Sequence, residues 1–186
     1  MRYLNETLKK YLNDLASNKP APGGGSASAV TAALGVSLLL MVANFTTGKK
    51  YEKVESTIKK IIRQLSNYKK KLELLTDKDI EVYKKVDSAL KLPISPKRST
   101  LLETALKNAA KVPLKICETS HLALKNVPLL LKKGNENLLT DVECGALFLK
   151  SAFAAAKINV DINLKYINDK KFARHIRRKL NQWQNY

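Results

Sequence analysis

A chain of 186 residues, 45% of them hydrophobic, is long enough for one domain with a sizeable core; abundant Leu, Ala and Lys beside 7 Gly and 6 Pro point to an all-helical protein. The formal charge is +18, from 34 Lys and Arg against 16 Asp and Glu, which attracts polyanions: a nucleic acid, an acidic membrane or an acidic small ligand. Lys is spread along every helical segment, aromatic residues are only 6%, and no zinc-finger or aromatic-sheet signature is present, so a solvated Lys-rich surface ranks first, an anionic ligand second and a nucleic acid last.

Residues 3–17 predict a first helix with Leu4, Leu8, Leu12 and Leu15 on one stripe. The prolines and glycines of "SNKPAPGGG" break it. Three glycines stand together in "PAPGGGSASA", directly ahead of a helix. They suit a tight turn at positive φ, a flexible joint, or a place where another group closes on the backbone. Ser26 is the expected N-cap of the next helix, which runs to about Phe45 and stops before Gly48. Residues 27–45 carry no charge and are long enough to span a membrane. They are also rich in Ala, Ser and Thr, and the other helical segments have apolar faces that need a partner, so this stretch reads as the buried central helix of a bundle.

A long helix follows over residues 50–92, with Tyr51, Val54, Ile58, Ile61, Leu65, Tyr68, Leu72, Leu75, Val82, Val86 and Leu90 at helical spacing; "LPISP" ends it. Another opens between Pro96 and Thr100, and Pro113 predicts a kink or break after Val112. Helical character resumes in "LKICETSHLALKNV", passes Pro128 and ends at Gly134. "TDVE", residues 140–143, has the spacing of a capping box and opens a helix through Ala156; a basic segment over residues 160–184 closes the chain. The result is one domain, residues 1–186, of six or seven helices around a central apolar one. Cys117 and Cys144 lie in apolar contexts and read as buried free thiols of a reducing compartment; with no signal-peptide core in "MRYLNETLKKYLNDL", a cytoplasmic location is expected.

Among residues able to carry chemistry, Asp79 stands out. At ~100° per residue it falls between Leu75, Val82 and Val86, inside the apolar stripe, whereas Asp77 and Glu81 point to the opposite face. A carboxylate there is costly unless paired or hydrogen-bonded, and its burial raises its pKa. It is either a poised acid/base or a structural Asp bonded to a backbone end or a neighbouring Lys. Asn159 and Asn163 in "INVDIN" share a helix face and either orient a polar ligand or bridge helices. His175 sits among Arg174, Arg177 and Arg178 on a basic surface, and His121 has no nucleophile at a recognised spacing. No metal-ligand spacing, Walker motif or dinucleotide fingerprint fits.

The chain resembles the formiminotransferase-cyclodeaminase C-terminal domain family, almost end to end. The marks, in order, are "PAPGGGSASA", "LLLMVANFTTGKKY", "LLTDKDIEVYKKV", "KLP", "AAKVPLKI", "KGNENLLTDVECGA" and "INVDINLKYIND". The resemblance implies an all-helical homodimer that binds folate, with Gly23, Gly24, Gly25 and Ser26 in a glycine turn at the site and Asp79 as the catalytic carboxylate. Lys49, Lys50 and Arg98 are then candidate contacts for the substrate's glutamate or polyglutamate tail, and Asn159 and Asn163 candidate substrate contacts. Between Pro93 and Pro113 the chain is several residues shorter than the family pattern: Arg98 matches the family's Arg, but the Glu before it has no counterpart in "ISPK".

Two reactions are implied on a tetrahydrofolate derivative, neither requiring a metal. In one, N10 closes on the formimino carbon of 5-formiminotetrahydrofolate and ammonia leaves; in the other, water opens 5,10-methenyltetrahydrofolate to 10-formyltetrahydrofolate. Both pass through a tetrahedral carbon between two nitrogens, and one carboxyl group with a raised pKa serves either. The rival readings are a non-enzymatic basic module that binds nucleic acid, with affinity falling steeply with salt, and a family member without activity.

Overall fold

The charge-free segment after the glycines forms the helix around which the others assemble. A computed structural model describes residues 3–183. Among them are seven α-helices and no strand: α1 (Leu8–Leu15), α2 (Gly24–Phe45), α3 (Glu55–Leu90), α4 (Pro96–Leu124), α5 (Val127–Lys133), α6 (Leu139–Lys165) and α7 (Lys170–Trp183). α2 packs against α6, α3 and α4, and Ala29, Ala32, Val36, Leu39 and Val42 are fully buried along its inner side. Small residues set the closest crossing. A Cβ on Gly35 would stand 2.8 Å from the Gly145 carbonyl oxygen, and one on Gly145 2.9 Å from that of Gly35, so both positions keep α2 and α6 in backbone contact. The outward side of α2 is apolar too, with Leu34 54% and Phe45 60% exposed.

Several local expectations give way to tertiary packing. The first helix is shorter than residues 3–17, and its leucines are not its core. Tyr3 and Tyr11 turn inward, edge to face at 5.3 Å, while Leu4, Leu8 and Leu12 are exposed. Ser26 does not cap α2: the helix begins two residues earlier, with Gly23 at the N-cap and no side-chain cap bond. α4 runs unbroken through Pro113, whose missing N–H is outweighed by a face buried from Ala105 to Leu124 against α6 and α3. The "TDVE" residues lie inside α6, whose N-cap is Leu138, so no capping box forms. Asn135 provides the local order instead, accepting from the Asn137 N–H at 3.1 Å and donating to the Phe45 carbonyl at the end of α2.

α6 continues to Lys165, so "INVDIN" belongs to it rather than to the closing basic segment. The break comes at residues 166–169. There Asp169 accepts from the Phe172 N–H at 2.9 Å to start α7, and Glu103 of α4 accepts from the N–H groups of Asn168 and Asp169. Both cysteines are free, but only Cys117 is buried, with its thiol pushed up to about 12 by desolvation; Cys144 is exposed on α6.

Candidate active site

The N-terminus of α2 is wedged between α3 and α6, and the space above it is a cavity of ≈ 590 Å³. Its floor is Pro20 and Ala21 of the preceding loop with Gly23, Gly24 and Gly25 at the start of α2; its walls are α3 (Asp79, Val82, Tyr83, Val86), α4 (Leu102, Leu106) and α6 (Asn159, Asn163, Tyr166). Asp79 is thus both on the inner stripe of α3 and at a cavity.

The glycines explain how it gets there. A Cβ built on Gly25 would stand 2.2–2.6 Å from the three atoms of the Asp79 carboxylate, so the carboxylate occupies the volume that a side chain at residue 25 would need. On Gly24 a Cβ would meet the Asn159 carboxamide at 3.3–3.9 Å, whereas on Gly23 it would meet nothing within 4 Å. None of the three has a positive φ; among the described residues only Gly48 does, at 88°. The turn therefore serves close approach of a side chain to the helix start, rather than conformational freedom.

Among the described residues no cation stands beside Asp79. Desolvation raises its carboxyl from an ordinary 3.8 to about 6, and the backbone N–H of Ser26, in the first turn of α2, draws it part of the way back. The helix dipole acts in the same direction as that N–H. Asn159 and Asn163 each donate one amide N–H to their own helix, to the Ala155 carbonyl at 2.9 Å and the Asn159 carbonyl at 2.7 Å. Each carboxamide keeps its oxygen and a second N–H to offer. Among the described residues the lining contains no Lys or Arg, in a chain that carries 34 of them.

The other sequence candidates fall outside this constellation. Ser26 is fully buried behind the cavity, its Oγ 3.2 Å from the Tyr11 hydroxyl. Lys49 and Lys50 stand past the far end of α2, ~30 Å of helix from the glycines, and Lys50 is paired with Glu136. The structure does not bring these two lysines to the site. Arg98 does not line the cavity, but it is one turn before Leu102 on the same face of α4, and its Nε is buried without a partner. His121 is buried in a stack with Trp183, and His175 is exposed, both away from the cavity. Asp77 is tied to the N-terminal segment instead, accepting from the Tyr3 N–H at 2.7 Å. The sequence reading missed Tyr83 and Tyr166 as wall residues. Tyr83 was findable, since it lies one helical turn beyond Asp79. Among the described residues, no group of three or more His, Cys, Asp or Glu side chains is arranged to hold a metal ion.

Comparison with known proteins identifies the chain's relatives. Residues 7–182 match the family described as formiminotransferase-cyclodeaminase. The chain is 33% identical to a methenyltetrahydrofolate cyclohydrolase of Methylorubrum extorquens, over 91% of this chain and 84% of that protein. It is 31% identical to the formimidoyltransferase-cyclodeaminase of Rattus norvegicus, over 95% of this chain but 34% of the longer rat protein. The crystal structure of formiminotetrahydrofolate cyclodeaminase from Thermotoga maritima superposes with a TM-score of 0.90 at 34% identity, covering 96% of this chain and 88% of that one.

Proposed function

Since the chain belongs to the formiminotransferase-cyclodeaminase family of folate enzymes, we propose that it acts on the one-carbon group carried by N5 and N10 of tetrahydrofolate, with Asp79 as the proton carrier. The observation that carries this reading is a lone carboxylate in an apolar cavity with two carboxamides beside it and no cation in the lining. The methenyl bridge N5=CH–N10 is an amidinium cation, and a protonated formimino group is another. A site with a carboxylate and no competing Lys or Arg favours that charge.

In the hydrolytic direction, water adds to the bridge carbon as the Asp79 carboxylate takes its proton. Asp79 then gives a proton to N5 while the C–N5 bond breaks, the hydroxyl proton is released, and the formyl group stays on N10. In the deaminating direction, N10 attacks the carbon of the protonated formimino group and gives its own proton to Asp79. The carboxyl group returns a proton to the exocyclic nitrogen, which leaves as ammonia. With a pKa of about 6, Asp79 is mostly ionised at neutral pH and starts either sequence as a base.

The folate ring is then held at the polar end, near Gly24, Gly25, Asn159 and Asn163, and its arm lies along Leu102 towards Arg98, whose unpartnered Nε suits the glutamate tail. The reading includes a homodimer. The outward apolar side of α2, with Leu34 and Phe45, and Leu147 and Ile158 of the adjoining α6 offer a surface without charge repulsion in a chain of +18. The test follows methenyltetrahydrofolate absorbance with purified protein, its formation from 5-formiminotetrahydrofolate and its hydrolysis measured separately. Turnover in one direction at a rate abolished by Asp79→Asn supports the reading; no turnover in either direction refutes it. Light scattering on wild type and on the pair Leu34→Lys and Phe45→Lys tests the dimer.

A further inference from the structure

Tyr11 and Ser26 do not line the cavity, yet they stand directly behind its carboxylate. The N-terminal segment forms a second, smaller apolar cluster of Tyr3, Tyr11 and Ile80, with Leu15, Ala21 and Val30 packed on it. Ile80 follows Asp79 on α3, and Val30 lies one turn beyond Ser26 on α2, so this cluster touches both elements that meet at the site. The segment is pinned in place. The Tyr3 N–H donates to Asp77 at 2.7 Å and the Tyr3 hydroxyl to Asp14 at 2.8 Å, while Lys10 and Lys19 both pair with Asp14. Its polar arm towards the site is Tyr11, whose buried hydroxyl lies 3.2 Å from the buried Oγ of Ser26.

We infer that Tyr11 is a positioning residue: through Ser26 it holds the first turn of α2 against Asp79 and so fixes the carboxyl group at the mouth of the helix. The inference rests on the reading of Asp79 as the proton carrier. Ser26 is the one residue of that turn that both meets Asp79, through its N–H, and is tied from behind by a side-chain bond. Burial keeps the Tyr11 hydroxyl protonated, its bond with Ser26 opposes that effect, and the Asp79 charge adds to it, which places phenol and carboxylate within electrostatic reach. Among the described residues the cavity lining around Asp79 brings no second charged group: Tyr83 on its own α3, Leu102 and Leu106 on α4, and Asn159, Asn163 and Tyr166 on α6.

The experiment is a carbon-detected NMR titration of the Asp79 carboxyl, assigned by its loss in Asp79→Asn, with the pH profile of folate turnover measured on the same samples. Tyr11→Phe keeps the ring that packs on Tyr3. Loosening the Ser26 N–H, together with the more apolar surroundings, moves the Asp79 midpoint upward by ~0.5 pH unit or more, and kcat falls about fivefold with KM nearly constant, the scale of one weakened hydrogen bond. Ser26→Ala produces the same shift, and the double variant adds little to either. An unchanged Asp79 midpoint in both folded single variants overturns the inference, even if the melting temperature falls. A shifted midpoint in a protein whose wild type turns over neither folate substrate upholds the positioning role and refutes the functional reading instead.

Discussion

Asp14 and Asp79 are both drawn into the protein, and they end in opposite electrostatic states. Asp14, 7% exposed, has the Lys19 and Lys10 ammonium groups and the Tyr3 hydroxyl around it, and these hold its carboxyl well below the usual range. Asp79 has a single backbone N–H and apolar walls, and its carboxyl is raised to about 6. The first arrangement fixes a charge in order to tie the N-terminal segment down. The second leaves a proton exchangeable near neutral pH, which a structural ion pair cannot do. In a chain with 34 Lys and Arg, the lack of any described cation in the lining around this one carboxylate is itself a feature of the site.

The largest effect that tests this contrast is on turnover. Asp79→Asn is expected to lower folate turnover by at least the ~10²-fold typical of general acid–base catalysis, while Asp14→Asn lowers the melting temperature and leaves activity in the folded fraction. A reversal of these two outcomes, read from melting and turnover on one preparation, would break the comparison.

Next comes the glycine series, which is graded by space. Gly25→Ala places a methyl group inside the Asp79 carboxylate and is expected to cost most of the activity with helical content retained. Gly24→Ala presses on Asn159 at 3.3 Å and costs less, and Gly23→Ala meets nothing and is nearly silent. Equal effects at all three positions, by circular dichroism and turnover, would mean that backbone freedom matters after all.

The pH dependence of stability gives a smaller effect with opposite signs for the two groups. Asp79 has a folded pKa above its unfolded value, so its contribution is present below pH ~4 and is lost as pH rises towards 6. Asp14 has a depressed folded pKa, so its contribution is present above pH ~4 and is lost as pH falls below that. Asp79→Asn is therefore expected to raise stability at pH 7 by ~1 kcal/mol, after allowance for partial solvent contact, and to flatten the melting curve between pH 4 and 6. Smallest of all, Lys49→Ala and Lys50→Ala are expected to leave KM for a monoglutamyl folate unchanged within about twofold, as suits exposed side chains remote from the cavity.

What the sequence determined by itself are the features set by repetition along one helix. The apolar phase of α3 put Asp79 on the inner face, the charge-free run after the glycines announced the central helix, and the ordered set of motifs identified the family. These are legible because each depends on neighbours three or four residues apart or on a pattern spread over the whole chain. Only the tertiary structure decided what the glycines are for. A Cβ at residue 25 collides with a carboxylate 54 positions away, a contact that no local pattern contains. Packing also carried α4 through Pro113, turned Tyr3 and Tyr11 inward in place of the first helix's leucines, and separated Lys49 and Lys50 from the site by the length of α2. In each case the deciding energy came from groups far apart in the chain, and long-range burial outweighed the local preference that the residues by themselves express.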